Sequence, residues 1–166
     1  MGLIEDMAQI ARQERELVLP SLDASVAWDL GTRLRTTALE CSLAVAIDLR
    51  RFGGQPLFYA ALEGTTPDNA EWIRRKSNVV ARFHRSSYGM GLRLKERGDT
   101  LLEKYGMPAA DAIAAGGSFP LRVAGAGVVG SMTVSGLTQR ADHELVVEAL
   151  CAALGRDYAA LQLGAE

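Results

Sequence analysis

The chain has 166 residues, the size of one typical domain, and its 18 Lys and Arg residues nearly balance its 20 Asp and Glu residues. A net charge of −2 excludes an overall basic surface for nucleic acid or an anionic membrane. The first residues do not resemble a secretory signal and no apolar run approaches about 20 residues, so we expect a cytoplasmic protein without nucleic-acid or membrane partners.

The two cysteines predict a reducing environment. Cys41 and Cys151 both lie in apolar runs, and neither has the C-x-x-C spacing of a metal or redox site. We therefore expect both to be buried free thiols.

Hydrophobic periodicity predicts a layered α/β protein with helices at both ends of the chain and a sheet of four or five strands. Two apolar runs, CSLAVAIDLR and PLFYAAL, are separated by turn residues and are expected to pair as a hairpin. Thr66, Pro67 and Asp68 supply the cap, the first-position proline and the early acid of a helix start. In chain order, the predicted elements are a helix over 2–18, a helix from Ser21 or Asp23 to about Glu40, strands ending at Asp48 and within 56–62, helices over 67–83 and 92–105, strands over 119–123 and 128–134, and a helix over 139–154.

Gly125-Ala-Gly127-Val-Val-Gly130 spells the G-x-G-x-x-G motif of dinucleotide-binding loops. In those folds the glycines follow a strand and open a helix, whose N-terminus receives the pyrophosphate. The residues after Gly130 alternate and are β-branched, which predicts a strand instead of a helix. The stretch from Gly125 to Gly127 is therefore predicted to be a tight turn between two antiparallel strands, and we do not expect it to bind a nucleotide.

Lys76 has an unusual position on the helix predicted over 67–83. At about 100° per residue it falls in the middle of the apolar arc, while the other charged residues of the helix fall opposite. A buried, unpaired ammonium is costly, so its nitrogen must reach solvent, find a carboxylate or carbonyl, or meet an anionic ligand. The residues leave open whether Lys76 is a paired structural residue or a ligand contact.

The stretch FHRSSYGMG follows this helix and gathers an imidazole, two hydroxyls and a phenol. His84, Ser86, Ser87 and Tyr88 are able to line a pocket or bind an anion. Alternatively, Ser86 or Ser87 caps the next helix, and Tyr88 packs with its hydroxyl on a backbone carbonyl.

A second polar stretch, SGLTQRADH, leads from the last strand into the last helix. Asp142 falls in the first turn, where a carboxylate favours the helix dipole, and His143 is either a satisfied histidine at the core margin or a ligand. A triad of Ser135, Asp142 and His143 is not expected, because neighbouring helical residues point about 100° apart. His84 and His143 are the only histidines, which excludes a three-histidine metal centre, and no metal site is predicted.

Two segments, EGTTPDNAEWIRRKSNVVARFHRSSYGMG and FPLRVAGAGVVGSMTVSGLTQRADHELVVEAL, resemble the heme-degrading-domain superfamily. That superfamily includes the GlcG and HbpS proteins and the C-terminal domain of PduO, and the pattern W-I-x-R-K-x-N-x-V-x-R-F-x-x-S-S-Y is specific to one branch of it. The resemblance implies one profilin-like domain over residues 1–166, with residues 1–20 as an N-terminal helical extension. It also implies a three-layer α/β/α arrangement around an antiparallel sheet of about five strands, and a homo-oligomer.

Some relatives bind heme or other tetrapyrroles, so the resemblance makes heme a candidate cofactor. No position of this chain matches a relative's axial ligand. By residue chemistry alone, His84, Tyr88 and His143 are able to coordinate iron.

We therefore expect a homo-oligomeric protein that binds a small ligand or another protein. A heme-binding or heme-degrading protein is one alternative, and an enzyme that uses Lys76 as an electrostatic clamp on a small anionic substrate is another, so it stays open whether the protein is an enzyme. The candidate ligand-binding residues are Asn69, Lys76, His84, Ser86, Ser87, Tyr88, Gly136, Asp142 and His143.

Overall fold

A computed structural model describes residues 2–165 of the chain. Within this range the chain forms seven helices and five strands. In chain order these are α1 (Leu3–Glu16), β1 (Val18–Leu19), α2 (Ala24–Glu40), β2 (Ala46–Arg51), β3 (Pro56–Ala61), α3 (Pro67–Phe83), α4 (Ser87–Arg97), α5 (Leu101–Tyr105), β4 (Ser118–Val123), β5 (Gly127–Ser135), α6 (Gln139–Leu154) and α7 (Tyr158–Leu161).

The five strands form one sheet in the order β1-β4-β5-β2-β3. The pairs β4–β5, β5–β2 and β2–β3 are antiparallel, as expected, and the β2–β3 hairpin is confirmed. The two-residue β1 differs, since it pairs with β4 in parallel. The sequence did not predict β1, because two residues are too few to show a strand periodicity.

Helices cover both faces of the sheet, which confirms the three-layer α/β/α arrangement. On one face, α2 and α6 pack on the apolar side chains of the central strands, such as Ile47, Leu49, Met132 and Val134. On the other face, α3 lies across β5 and β4. Because side chains alternate along a strand, β5 turns its small polar residues, including Thr133 and Ser135, toward α3. The α3 side of the sheet is therefore polar where the other side is apolar.

The glycine motif forms the predicted turn. Gly125 and Gly127 have φ angles of 75° and 82°, a conformation that glycine adopts without steric cost, and they connect β4 to β5. A strand follows the motif, so the helix that a dinucleotide site requires is absent there.

Predictions for one strand, one helix and one cysteine are wrong. The strand expected to end at Asp48 runs from Ala46 to Arg51. The helix expected from residue 92 begins at Ser87, because the Ser86 hydroxyl accepts a hydrogen bond from the Gly89 amide at 3.1 Å and caps the helix. The stabilisation from this cap outweighs the unfavourable helix propensity of two internal glycines. Cys41 is exposed at the end of α2, not buried, since it lies past the apolar face of that helix. Cys151 is buried as expected, and burial raises the pKa of its thiol to about 11.

The first helix packs on α4 and α7. The side-chain amide of Gln13 donates a hydrogen bond to the Leu161 carbonyl at 2.8 Å, and the Glu14 carboxylate accepts one from the backbone amide of Ser86 at 2.8 Å. Between residues 2 and 165, every helix is too short or too polar to cross a bilayer.

Candidate ligand-binding site

A cavity of about 400 Å³ lies on the polar side of the sheet, between α3, the end of β5 and the start of α6. This volume falls within the range of small-molecule sites. The lining residues are Asp68, Asn69, Trp72, Lys76, Ile113, Ala114, Ala115, Ser135, Gly136, Leu137, Gln139 and Asp142. Four of the residues predicted from the sequence are brought together here: Asn69, Lys76, Gly136 and Asp142.

A buried ion pair between Lys76 and Asp142 forms the floor of the cavity. Lys76 Nζ lies 2.9 Å from Asp142 Oδ2, and the side chains are 4% and 2% exposed. The same ammonium donates a hydrogen bond to the Val134 carbonyl at 3.1 Å. Lys76 therefore has the internal partner that the sequence left open, and Asp142 is that partner.

Asp142 is held by the way α6 begins. Thr138 caps the helix by accepting a hydrogen bond from the Ala141 amide at 3.3 Å, which places Asp142 in the first turn. Its second carboxylate oxygen accepts a hydrogen bond from the Leu137 amide at 2.9 Å. The Asp142 carboxylate thus accepts hydrogen bonds both from the backbone that leads into α6 and from Lys76 of α3.

Burial disfavours both charges of this pair. It lowers the pKa of Lys76 and raises the pKa of Asp142, and in each case the attraction of the partner opposes the effect of burial. Each charge is compensated by the other, so the pair presents a polar but electrically neutral surface to the cavity.

Gly117, at the entry to β4, leaves room for this pair. A Cβ atom placed there would lie 2.8 Å from Lys76 Nζ and 3.1 Å from Asp142 Cβ. Its φ angle of 126° also disfavours any side chain. The strand can approach the ion pair only because residue 117 is a glycine.

Trp72 forms the apolar wall of the cavity one turn of α3 before Lys76. The indole nitrogen donates a hydrogen bond to Asp68 at 3.0 Å, which fixes the ring plane. Lys76 Nζ lies 5.9 Å from the ring centroid, within cation–π range. The wall is therefore a fixed aromatic surface next to a polar floor.

Asn69 joins α3 to the end of β5. Its side-chain oxygen accepts a hydrogen bond from the Thr66 amide at 2.9 Å, as part of the helix cap. Its side-chain nitrogen lies 3.3 Å from the Ser135 carbonyl and 3.2 Å from the Ser135 hydroxyl oxygen, and donates to both. Gly136 follows Ser135 and also lines the cavity.

The other predicted site residues lie outside this cavity. His84 is exposed at the C-terminal end of α3, with its ring stacked on Phe52 at a centroid distance of 5.2 Å. Ser86 is the helix cap described above, and the Ser87 hydroxyl exchanges hydrogen bonds with the backbone of Ser118 at 3.0 and 3.3 Å. Both serines are buried and have structural partners.

Tyr88 and His143 pack against each other in the interior, with ring centroids 5.3 Å apart. His143 is 1% exposed, and its Nε2 donates a hydrogen bond to Gln13 Oε1 at 2.8 Å. Its Nδ1 has no hydrogen-bond partner within residues 2–165. Burial lowers the pKa of His143 to about 3, so the imidazole is neutral near pH 7.

The sequence did not identify Asp68, Ile113, Ala114 and Ala115 as lining residues. Residues 113–115 have no regular periodicity, and they reach the cavity because the Ile113 amide donates a hydrogen bond to the Arg75 carbonyl at 3.3 Å. Gln139 lies in the polar stretch SGLTQRADH, where it begins α6. In the described part of the chain, no three His, Cys, Asp or Glu side chains are placed to hold a metal ion.

The fold and the site together define a three-layer α/β/α protein with a polar cavity beside its sheet. Residues 22–151 match the family model described as "Haem degrading protein HbpS-like", and the chain belongs to this HbpS-like family. This confirms the superfamily that the two sequence segments indicate.

Relatives of nearly the same length extend the match over almost the whole chain. A UPF0303 protein of Burkholderia cenocepacia is 59% identical over 163 residues, which are 98% of each chain. A UPF0303 protein of Burkholderia pseudomallei is 60% identical over 163 residues, again 98% of each chain.

Three solved structures share the fold. The Ybr137w protein has a TM-score of 0.82 and 30% identity, covering 90% of this chain and 87% of its own. HbpS has a TM-score of 0.64 and 20% identity, covering 85% of this chain and 96% of its own. A PduOC:heme complex has a TM-score of 0.68 and 14% identity, covering 80% and 94%.

Proposed function

We propose that the protein binds a small molecule in the cavity between α3 and α6. The observation that carries this proposal is the combination, in one cavity of about 400 Å³, of a buried ion pair and a fixed indole. Binding sites commonly combine an apolar wall with a few placed polar groups, because the wall supplies affinity and the polar groups supply orientation.

The ion pair and the polar groups of the cavity restrict the chemistry of the ligand. Lys76 and Asp142 neutralise each other, so no uncompensated positive charge is available to clamp an anion. The Ser135 hydroxyl and the side-chain amide of Gln139 also line the cavity as hydrogen-bonding groups. These features favour a compact polar molecule without a net negative charge, and they weaken the alternative of an enzyme that acts on a small anion.

Native mass spectrometry of gently purified protein tests this proposal, together with thermal shifts measured against a panel of neutral polar metabolites. We expect the wild type to retain a small molecule or to be stabilised by a member of the panel. Trp72→Ala removes the wall of the cavity and should abolish that signal. Leu102→Ala is the control, because Leu102 is 59% exposed on α5 and does not line this cavity.

Two results would overturn the proposal. One is a wild type that neither retains a molecule nor responds to any panel compound. The other is binding that Trp72→Ala leaves unchanged in a protein with a normal circular dichroism spectrum.

Heme binding is a second candidate, supported by membership of the HbpS-like family and by the fold shared with a PduOC:heme complex. The cavity offers no usual axial ligand to a heme iron, since its lining contains no His, Cys, Met or Tyr. Among the residues suggested by chemistry, Tyr88 and His143 are buried, whereas His84 is exposed between the exposed Arg82 and Arg85. An imidazole flanked by guanidinium groups suits iron and the heme carboxylates.

A hemin titration followed at the Soret band tests His84 as this ligand. We expect a saturable Soret shift with the wild type, its loss in His84→Ala, and its retention in His143→Gln and in Trp72→Ala. A wild type without any specific shift would contradict heme binding. A shift that survives in His84→Ala would remove His84 as the ligand.

We also propose that the protein assembles as a homo-oligomer. Large exposed apolar side chains, which include Trp28 at 62% and Tyr59 at 49%, support this part of the proposal. Size-exclusion chromatography with light scattering measures the subunit number directly, and a monomer at all concentrations would contradict it.

A further inference from the structure

Large exposed apolar side chains concentrate at one edge of the molecule. Among the described residues, five such side chains are exposed, and three of them, Trp28, Leu39 and Tyr59, lie on α2 or on β3. Trp28 contacts Phe58 of β3 edge to face, with ring centroids 5.5 Å apart. Leu39 shares a shallow surface pocket with Leu62, just after β3. The three side chains therefore lie at one edge of the sheet, with Trp28 and Leu39 on the α2 side and Tyr59 on the opposite side, and we call this edge the β3 edge.

β3 is the outermost strand of the sheet on this side. The Leu62 amide donates a hydrogen bond to the Val45 carbonyl at 3.1 Å, and Val45 stands opposite Leu62 in the register of the hairpin. In an antiparallel pair, residues alternate between pointing their backbone groups at the partner strand and away from it. The amide and carbonyl groups of Leu57, Tyr59 and Ala61 consequently point outward, away from β2.

The usual protection of such an edge is weak here. Natural edge strands commonly carry charged residues, prolines or bulges that prevent pairing with another strand. β3, with the sequence PLFYAA, contains no charged residue, and its proline stands at its first position. The bulge in its pairing with β2 lies between Leu49 and Arg50, opposite the start of β3. The remaining residues of β3 form an open, uncharged edge.

We propose that a second copy of this chain pairs with β3 through a two-fold axis, so that the two sheets continue into one sheet across the interface. An antiparallel pairing matches the outward groups when Tyr59 stands opposite the partner's Tyr59 and Leu57 stands opposite the partner's Ala61. This register is self-complementary, as a two-fold interface requires. The inference rests on the proposed self-assembly and is independent of the ligand cavity.

The charges next to β3 agree with this arrangement. Arg51 lies beside the start of the strand, where its amide donates a hydrogen bond to the Gln55 carbonyl at 3.0 Å, and Glu63 follows the end of the strand. Both residues are exposed. An antiparallel pairing brings the start of one strand to the end of the other, so Arg51 of each copy approaches the partner's Glu63. Opposite charges therefore meet at both ends of the two paired β3 strands.

Helix α2 adds a second layer to the interface. Trp28, Thr32, Arg35 and Leu39 are all exposed and follow each other at spacings of three or four residues, so they lie along one side of the helix. A pair of short strands alone buries less than the roughly 800 Å² per partner of a standard interface. Contact between the α2 stripes of the two copies supplies further apolar area beside the paired strands.

Light scattering and native mass spectrometry of Tyr59→Lys test the interface. A lysine at position 59 places two like charges opposite each other at the two-fold axis of the paired strands. We therefore expect the wild type to have an even number of subunits and the variant to have half that number. Leu102→Lys is the matched control, because Leu102 is 59% exposed on α5, away from this edge, and it should assemble like the wild type. Circular dichroism confirms that both variants are folded.

A disulfide provides a second measurement that does not depend on disruption. Residues opposite each other in a hydrogen-bonded antiparallel pair have Cα atoms about 5.5 Å apart, which is within disulfide range. Tyr59→Cys in a Cys41→Ser background should form a covalent dimer on mild oxidation, whereas Leu102→Cys in the same background should not. Removing Cys41 is necessary because it is an exposed thiol.

The outcomes separate this inference from the broader proposal of self-assembly. A monomeric wild type overturns both. An assembled wild type whose subunit number survives Tyr59→Lys, with no covalent dimer from Tyr59→Cys, overturns the β3 interface and keeps self-assembly on another surface. Loss of assembly in Leu102→Lys as well would also overturn it, because the effect would then not depend on β3.

Discussion

The Lys76–Asp142 pair joins α3 to α6 across 66 positions of sequence, with both side chains buried. Breaking a buried pair by removing one partner leaves an uncompensated charge, which commonly costs about 3–5 kcal/mol. We expect Lys76→Met to lower the free energy of unfolding by this amount. In Lys76→Met/Asp142→Asn the neutral amide still accepts the hydrogen bond from Leu137, and this variant should recover at least half of the loss.

Urea denaturation of the wild type, the single variant and the double variant measures these differences. An equal loss in the single and double variants would contradict the explanation, since the loss would then not come from an unpaired carboxylate. Ligand binding by the folded double variant would show that the cavity needs the shape of the pair more than its charges.

The sequence predicts the burial of Lys76 but not its partner. The 100° helical period is a local property, so it places the lysine on the apolar side of α3 from residues 67–83 alone. Asp142 is local to a different helix, where its position in the first turn has an explanation of its own. The contact between them depends on how the end of β5 brings the start of α6 next to α3, and a single sequence contains no local signal of that distance.

At the scale of elements, the predictions succeed where caps and periodicity agree and fail where packing overrides them. α3 begins at the predicted proline, because Pro67 and the Thr66–Asn69 capping box act in the same direction, and it ends at the predicted Phe83, after which His84 adopts the left-handed conformation of a helix C-cap. α4 begins five residues before its predicted start, since the cap at Ser86 and the contact of this helix with α1 hold glycines that are normally unfavourable in a helix. The cavity is assembled from α3, the end of β5, the start of α6 and the irregular segment 113–115, and only that segment carried no recognisable pattern in the sequence.

The difference between the two faces of the sheet explains where the cavity can form. The face of the sheet under α2 and α6 is filled by large apolar residues. The α3 side presents Ser118, Thr133 and Ser135, and the hydroxyls of the first two are hydrogen-bonded to each other at 2.8 Å. Ser135 stands at the end of β5, beyond this bonded pair, and faces the cavity. The binding site therefore lies where the polar layer of the sheet reaches the surface.

At the scale of the whole molecule, the first helix, α1, meets α6 at His143. Its Nε2 donates to Gln13 of α1, and Arg140, one turn before it on α6, forms an ion pair with Asp6 of α1 at 2.7 Å. The folded protein keeps His143 neutral down to a pKa of about 3, whereas an unfolded chain binds this proton near the ordinary value of 6.5. Below pH 6.5 the unfolded state therefore binds the extra proton, and protonation of this residue favours unfolding.

We accordingly expect His143 to make the wild type less stable as the pH falls from about 6.5 toward about 3, by up to about 1.4 kcal/mol per pH unit. Carboxylates change protonation over part of the same range, so the decisive quantity is the difference between the wild type and His143→Gln in urea denaturation at pH 7.0, 5.5 and 4.5. His143→Gln should show the shallower pH dependence, because it lacks the group that the unfolded state protonates. His84→Gln, which removes the exposed histidine, is the matched control and should follow the wild type. Parallel curves for the wild type and His143→Gln would mean that the contact between α1 and α6 opens enough to let His143 be protonated in the folded state.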